Sequence, residues 1–259
     1  MIVIVKDDKY FWIKVVRQMQ NRNLFYNVHI LSGSMLKMIA VVSMLIDHTA
    51  FVLEPVLPWM SVSLFVFLGK EITIYYLMRK IGRLAFPIYC FLISEGISHT
   101  KSKRNYSLRL FLFALISELP FNLMIAGNLF SPKQNVFFTL LLGTHLIQVF
   151  ESKIDSFQKT FLMLILLAAA RFLRADYGVS GAVLVLLLYL CRGQRTLQTV
   201  LSYPMLSGGV AAFAAFIPIS MYNGKRGFIK TAAAKYAFYL FYPLHILFLL
   251  LIKSMLGNG

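Results

Sequence analysis

The sequence predicts an all-α fold, a polytopic membrane bundle of roughly eight transmembrane helices, seven to nine by the readings below. Three observations predict it. Apolar residues make up 59% of the 259-residue chain and charged residues only 14%, with a mean hydropathy of +0.72, where a soluble domain carries roughly 25% charged residues. The apolar residues come in blocks separated by short basic loops. Within those blocks sit isolated ionisable side chains, above all Asp47 and His48 in the run Leu36–Leu53. A carboxylate at bilayer depth costs roughly 2.5–3.5 kcal/mol on insertion scales and is kept where it has a partner or a polar cavity.

Leu36–Leu53 is the first span, and Pro55 and Pro58 stop it. In residues 59–80 an apolar stretch is interrupted by Lys70 and Glu71, so we expect a loop with a surface or re-entrant segment. The next spans are expected over Leu84–Ile97, Leu108–Ala126, Val136–Phe150, Phe161–Phe172 and Val179–Cys191. They are short for a hydrocarbon core, which implies that flanking Arg and Lys reach back to the interface. Leu197–Tyr222 is too long for one span and carries Pro204, Gly208, Gly209 and Pro218, so two short or broken segments are expected. Tyr236–Ile252 is the last span, its Phe and Tyr stripe serving packing and anchoring.

The formal charge is +16, from 26 basic and 10 acidic residues. In a soluble protein this would raise nucleic-acid binding, but here the surplus lies in an N-terminal arm and in loops flanking the spans, which excludes that class. Four basic groups define a cytoplasmic side: the arm with Lys37, the 99–109 loop, Arg192 with Arg195, and the 224–235 loop. Residues 1–34 read as a basic cytoplasmic or interfacial arm, with Tyr10–Val28 suited to an amphipathic surface helix. No cleavable signal peptide is visible, and Met35 offers an alternative start directly before the first span. Residues 35–259 then form a single membrane domain. Cys90 and Cys191 have no metal or redox spacing, and no metal is expected.

Rise per residue gives depth. Counting from Lys37, Arg109 and Lys235 on the inner side, Asp47 with His48, Glu118 and His245 all lie roughly 14–17 Å in. Three segments far apart in sequence thus bring acid and base groups to one level, as a buried acid/base site requires. Each group also has a plainer reading. Intramembrane polar residues hold helices together, His245 fits a satisfied core histidine, and Glu118 fits neutralisation of Arg83 or Arg109. Glu95 and His99, at i and i+4, suit a helix-end interaction.

The ordered set of motifs resembles the TraX family of bacterial membrane proteins. It comprises Leu36–Ala40 with Met44–His48; Ile81–Ile88 with Ser94, Glu95, Gly96 and His99; and Arg109 with Ser117–Asn122. It continues with Asn135–Gly143, Ala175–Gly181, Tyr222–Gly227 and Phe241–His245, covering about residues 35–252. The family is named after a conjugative-plasmid protein that N-acetylates pilin at its amino terminus. The resemblance implies a multi-pass enzyme of the bacterial inner membrane that takes acetyl from cytoplasmic acetyl-CoA. Its acceptor would be a protein N-terminus or an envelope glycan.

Acetyl transfer needs a base, an oxyanion donor and a cationic grip on the CoA phosphates. His48 is the expected base. Asp47 projects about 100° away around the helix, so a carboxylate from another span, such as Glu118, is expected to orient the ring. His245 is the alternative base or acetyl carrier. Arg83 and Asn122 are candidates for acceptor or oxyanion positioning, with Glu95, His99, Asn135 and Asp176 as supporting polar groups. Lys225 and Arg226, in a glycine-flanked loop, are candidates for the phosphates. Two other classes fit buried Asp, Glu and His: a proton-coupled permease and a non-catalytic assembly protein.

Overall fold

The computed structural model describes residues 29–257. Most of the expected N-terminal arm, including the proposed surface helix over 10–28, lies outside the described residues. Helix α1 (Gly33–Leu53) opens where the Ser32 hydroxyl accepts a hydrogen bond from the Met35 N–H, satisfying one orphan donor of the first turn. It gives way to 3-10 turns at Glu54–Val56 and Pro58–Ser61, each with a proline at its start.

The expected loop over 59–80 is corrected by the structure. Strands β1 (Ser63–Phe67) and β2 (Lys70–Thr73) form an antiparallel hairpin, so the fold is not purely α. Leu68 and Gly69 turn it with φ of 50° and 73°, the left-handed pair a tight hairpin needs. Helix α2 (Ile74–Gly82) follows at once, started by the Thr73 hydroxyl accepting from the Tyr76 N–H. It leads into α3 (Ala85–His99), and Ile74–His99 forms one span rather than the Leu84–Ile97 segment expected. The break at Arg83–Leu84 has a local cause: Pro87 offers no N–H to the Arg83 carbonyl four residues back, and its ring crowds that carbonyl. Lys70 and Glu71, the charges that argued against a span, lie exposed in the hairpin, and the charges of α2 itself have partners. Arg79 Nη1 pairs with Asp47 Oδ2 at 2.8 Å, and Lys80 lies over the Tyr76 ring.

The remaining helices fall where expected, with longer ends: α4 (Lys103–Ala126), α5 (Val136–Glu151), α6 (Ser156–Phe172), α7 (Gly178–Leu190) and α11 (Ala232–Gly257). Gly127, at φ 66°, closes α4, while the Asn135 and Asp155 side chains cap α5 and α6. The broken pair resolves into α8 (Arg195–Ser202), α9 (Gly209–Phe213) and α10 (Phe216–Ser220). It runs in from Arg195 until Gly208 meets the Arg83 side chain, then returns to Tyr222. Among the described residues four helical segments are long and apolar enough to cross a membrane: Gly33–Val56, Ile74–His99, Lys103–Ala126 and Ala232–Gly257. Shorter apolar helices, Val136–Glu151, Gly178–Leu190 and Gly209–Ser220, complete the bundle.

Six helices close a ring, each packed on the next, in the order α1, α3, α7, α5, α4, α11 and back to α1. Glycine permits the closest approach: a Cβ at Gly143 would stand 2.6 Å from Val185 Cβ, and one at Gly82 would stand 2.2 Å from Asp47 Cβ. One end of the ring gathers the basic loops. There the Gly33 and Ser34 N–H groups donate to the Lys225 and Arg226 carbonyls at 2.8 and 2.9 Å. Arg192 pairs with Glu95 at 3.2 Å, and Lys103 and Tyr189 both bind Glu151.

Two stability outcomes follow. Gly143→Ala gains helix propensity but overpacks α5 on α7, so the detergent-solubilised protein should lose about 1–3 kcal/mol, read as a lower thermal midpoint. Arg79→Ala strands a buried carboxylate and should cost about 1–3 kcal/mol. Asp47→Asn in the same chain should recover part of that loss, a coupling of about 0.5–3 kcal/mol in a double-mutant cycle; strict additivity would mean the pair does not hold α2 against α1.

Candidate functional site

The ring encloses a cavity of about 130 Å³. Its wall takes Met44, Asp47 and His48 from α1; Gly82 from α2; Phe86 and Tyr89 from α3; Phe137 from α5; and Tyr242 from α11. Asp176 and Tyr177, in the connection between α6 and α7, close the end remote from the basic loops.

His48 and His245 meet directly, Nδ1 to Nε2, at 2.6 Å, with ring planes 3° apart. Depth counting placed both at one level; the structure bonds them. The tautomers follow from the partners. His245 Nδ1 faces the Phe241 carbonyl at 2.7 Å, and a carbonyl only accepts, so that nitrogen carries the proton. In a neutral ring its Nε2 is then an acceptor, which requires His48 Nδ1 to donate. His48 Nε2 keeps its lone pair. Tyr242 stands edge-on to both rings and fixes their planes.

Asp47 does not orient His48. Its Oδ2 is taken by Arg79, while its buried Oδ1 has no hydrogen-bond partner among the described residues and belongs to a side chain that lines the cavity. Arg83 lies near Asp47, Asp176 and Tyr177 at the remote end. Burial pushes the Asp176 carboxyl up to about 6, against the pull of Lys133, the Tyr177 N–H and Arg83.

Two expectations are corrected. Glu118, the expected orienting carboxylate, lines neither cavity. Asn135 Nδ2 donates to Glu118 Oε2 at 2.6 Å and to the Ala114 carbonyl at 2.8 Å, while its Oδ1 caps α5. Glu118 therefore joins α4 to α5 through Asn135, and neither Arg83 nor Arg109 neutralises it by contact. Asn122 also lies off the cavity, its Nδ2 donating to the Leu129 carbonyl at 2.8 Å to hold the α4–α5 loop. The Glu95–His99 pair is a helix-end arrangement: His99 Nδ1 bonds the Glu95 backbone carbonyl, and Arg192 bridges the two side chains.

A second cavity of about 520 Å³ opens at the basic end. Lys37, Arg109, Arg226 and Lys235 line it, with Glu95 and His99 opposite. Arg226 is thus placed as expected, whereas the Lys225 side chain is exposed outside this wall and only its carbonyl is used, to accept from Gly33. Lys37, Arg109 and Lys235 served in the sequence only as anchors for topology and depth, and nothing there marked them as lining one cavity. Arg79 was hidden in the segment read as a loop. The start of α1 adds its positive helix end to this vestibule. The two cavities adjoin, with Lys37, Leu92, Tyr106 and Tyr239 as their common wall. Among the described residues no three His, Cys, Asp or Glu side chains converge as a metal site requires.

The arrangement sets an anion-attracting mouth, across a wall of two tyrosines, from a buried imidazole with a free lone pair. A protein of Dichelobacter nodosus described as "Probable fimbrial assembly protein FimC, serogroup H1" is 29% identical over 255 residues, covering 87% of this chain and 97% of that protein. No solved structure matches the chain. Residues 32–253 match the family described as TraX protein, and the chain belongs to that family.

Proposed function

We propose that this chain is an integral membrane acyltransferase that moves acetyl from cytoplasmic acetyl-CoA to an acceptor presented at the other face of a bacterial inner membrane. The single observation that carries the reading is that the basic vestibule shares a wall with the cavity lined by His48, whose ring is bonded to His245. A roughly eight-segment bundle with its basic end in the cytoplasm would set the vestibule toward the CoA pool. The TraX resemblance and the relative's description as a fimbrial assembly protein both favour a pilin-type amine over an envelope sugar.

In this reading the CoA phosphates rest among Lys37, Arg109, Arg226 and Lys235, and the thioester reaches His48. His48 Nε2 takes the proton of the acceptor amine or hydroxyl as that atom attacks the thioester carbonyl. Collapse of the tetrahedral intermediate breaks the C–S bond, and the same nitrogen returns the proton to the departing thiolate. The products are the acetylated acceptor and free CoA, with no other reactant. His245 acts through His48: it fixes the tautomer and shares the charge when His48 is protonated.

The test gives purified protein, in detergent or liposomes, radiolabelled acetyl-CoA and a mixture of envelope acceptors. Transfer or slow hydrolysis is expected, and His48→Ala should reduce it about 10²–10⁴-fold while the chain stays folded at a lower thermal midpoint. Intact acetyl-CoA throughout, with a substrate-dependent pH change in sealed vesicles, would assign the pair to a permease instead. His245→Ala should lose activity to a similar degree, and added imidazole should restore part of it by occupying the vacated space. A purely structural role for His245 would show no such rescue.

A further inference from the structure

The passage between the two cavities has a defined rim. Lys37, Leu92, Tyr106 and Tyr239 line both cavities, and Arg109 lines only the outer one. The Arg109 guanidinium sits over the Tyr106 ring, 5.6 Å from its centroid, and beside the Tyr239 hydroxyl. Tyr106 is accommodated by a missing side chain: a Cβ at Gly96 would stand 2.6 Å from its hydroxyl. Tyr239 is backed by Phe113, whose ring lies parallel to within 14° at 4.8 Å. Lys37 leans over Phe238 at 5.4 Å. The rim is therefore built of supported rings with a cation laid across them.

Helix α1 carries a ruler. Lys37 at the rim and His48 at the far cavity lie on one straight run, which at 1.5 Å per residue separates them by roughly 16 Å. A group held by its phosphates in the vestibule reaches His48 only through a thin arm of about that length.

We infer, resting on the donor reading above, that Tyr106, Tyr239 and Arg109 form a specificity-determining neck. It admits a slender thioester arm that is unbranched over its thiol end and holds the phosphate-bearing body of the donor outside. Arg109 serves both ends of this selection. A phosphate binds a guanidinium by paired charge-assisted hydrogen bonds, stronger than its hold on an aromatic face, so an arriving phosphate draws Arg109 off the rings as the arm enters. Branched or phosphate-free molecules lack one or both cues.

The test uses the full chain with Cys90→Ala and Cys191→Ala and a reporter thiol, Met44→Cys, on the inner cavity wall one turn before His48. Pyridyl disulfides of CoA, of pantetheine (the same arm without the phosphates) and of glutathione (a branched thiol) are compared by thiopyridone release. The CoA reagent should label about tenfold faster than either of the others, a steric and ionic margin typical of such selection. Tyr106→Ala should admit the glutathione reagent, and Arg109→Gln should erase the preference for CoA over pantetheine. Binding of 3′,5′-ADP, followed by calorimetry, should survive Tyr106→Ala, which shows that the vestibule and fold are intact. Equal labelling by the CoA and glutathione reagents with the neck unaltered, or indifference to Tyr106→Ala, would overturn the neck while 3′,5′-ADP binding left the donor reading standing. Failure of 3′,5′-ADP to bind the unaltered chain would overturn the donor reading, and the neck with it.

Discussion

A charge or lone pair carried into the apolar interior of this bundle must find a bonded partner or a wet surface, because neither lipid nor packed side chains can solvate it. The architecture follows from how that demand is met. Asp47 is answered by Arg79, which fastens α2 against α1. His48 is answered by His245, which fastens α11 against α1. Glu118 is answered by Asn135, which fastens the start of α5 against α4. Each polar pair is a joint between two helices, and the joints and the apolar contacts together close the ring. One atom left over, Asp47 Oδ1, belongs to a side chain that faces the space the ring encloses. The cavity and the joints are thus one device: three oriented pairs cost less than three buried charges, and the leftover acceptors are presented in fixed directions.

The basic end obeys the opposite rule. Lys37, Arg109, Arg226 and Lys235 crowd one vestibule, and the acid within reach, Glu95, is already occupied by Arg192. Crowded like charges raise the free energy of an empty site and are relieved by an anion. The backbone reinforces this. The loop over 221–229 is stitched to the first turn of α1 through the Gly33 and Ser34 N–H groups and through Ser34 Oγ, which bonds the Arg226 carbonyl and the Ile229 N–H. Gly227, at φ 85°, lies against Ser32 and Ser34 where a side chain would collide. Arg226 is therefore presented from a fixed loop and not from a swinging one.

The sequence discloses depth better than partnership. Apolar runs located α1, α4, α5, α7 and α11 closely because each is long and continuous enough to outweigh an internal breaker such as Pro120 or Pro243. Counting residues from basic anchors brought His48 and His245 to one level, and that arithmetic needs only the helix rise. It failed at α2, and for an instructive reason. Lys70 and Glu71 made residues 59–80 read as a loop, and the same reading set aside Arg79, which is what makes Asp47 tolerable in its neighbour. Glu118 misled in the same way, since its depth was right and its partner, Asn135, is an uncharged cap that no charge count flags. The vestibule was veiled because Lys37, Arg109 and Lys235 read equally well as topology signals, and only the three-dimensional gathering of three helix ends and one loop separates the two roles.

The choice of a second histidine as the partner of His48 has its own physical logic. A carboxylate in that position would have to be desolvated as an anion in the resting state, a cost Asp47 already requires a guanidinium to offset. A neutral imidazole accepts the His48 Nδ1–H without importing charge. When His48 gains a proton at Nε2, the bonded pair offers that charge two rings instead of one, and Phe241 holds the far Nδ1–H through its carbonyl. Pro243 sits between those two residues of α11 and, lacking an N–H, leaves the Tyr239 carbonyl free of its helical partner. The helix is thus loosened one turn before His245, on the same stretch that supplies Tyr239 to the rim of the passage. Rim and base partner lie less than two turns apart on α11, so a displacement of this stretch that widens the passage also moves the partner of the base. Access to the inner cavity and the orientation of His48 are therefore mechanically linked.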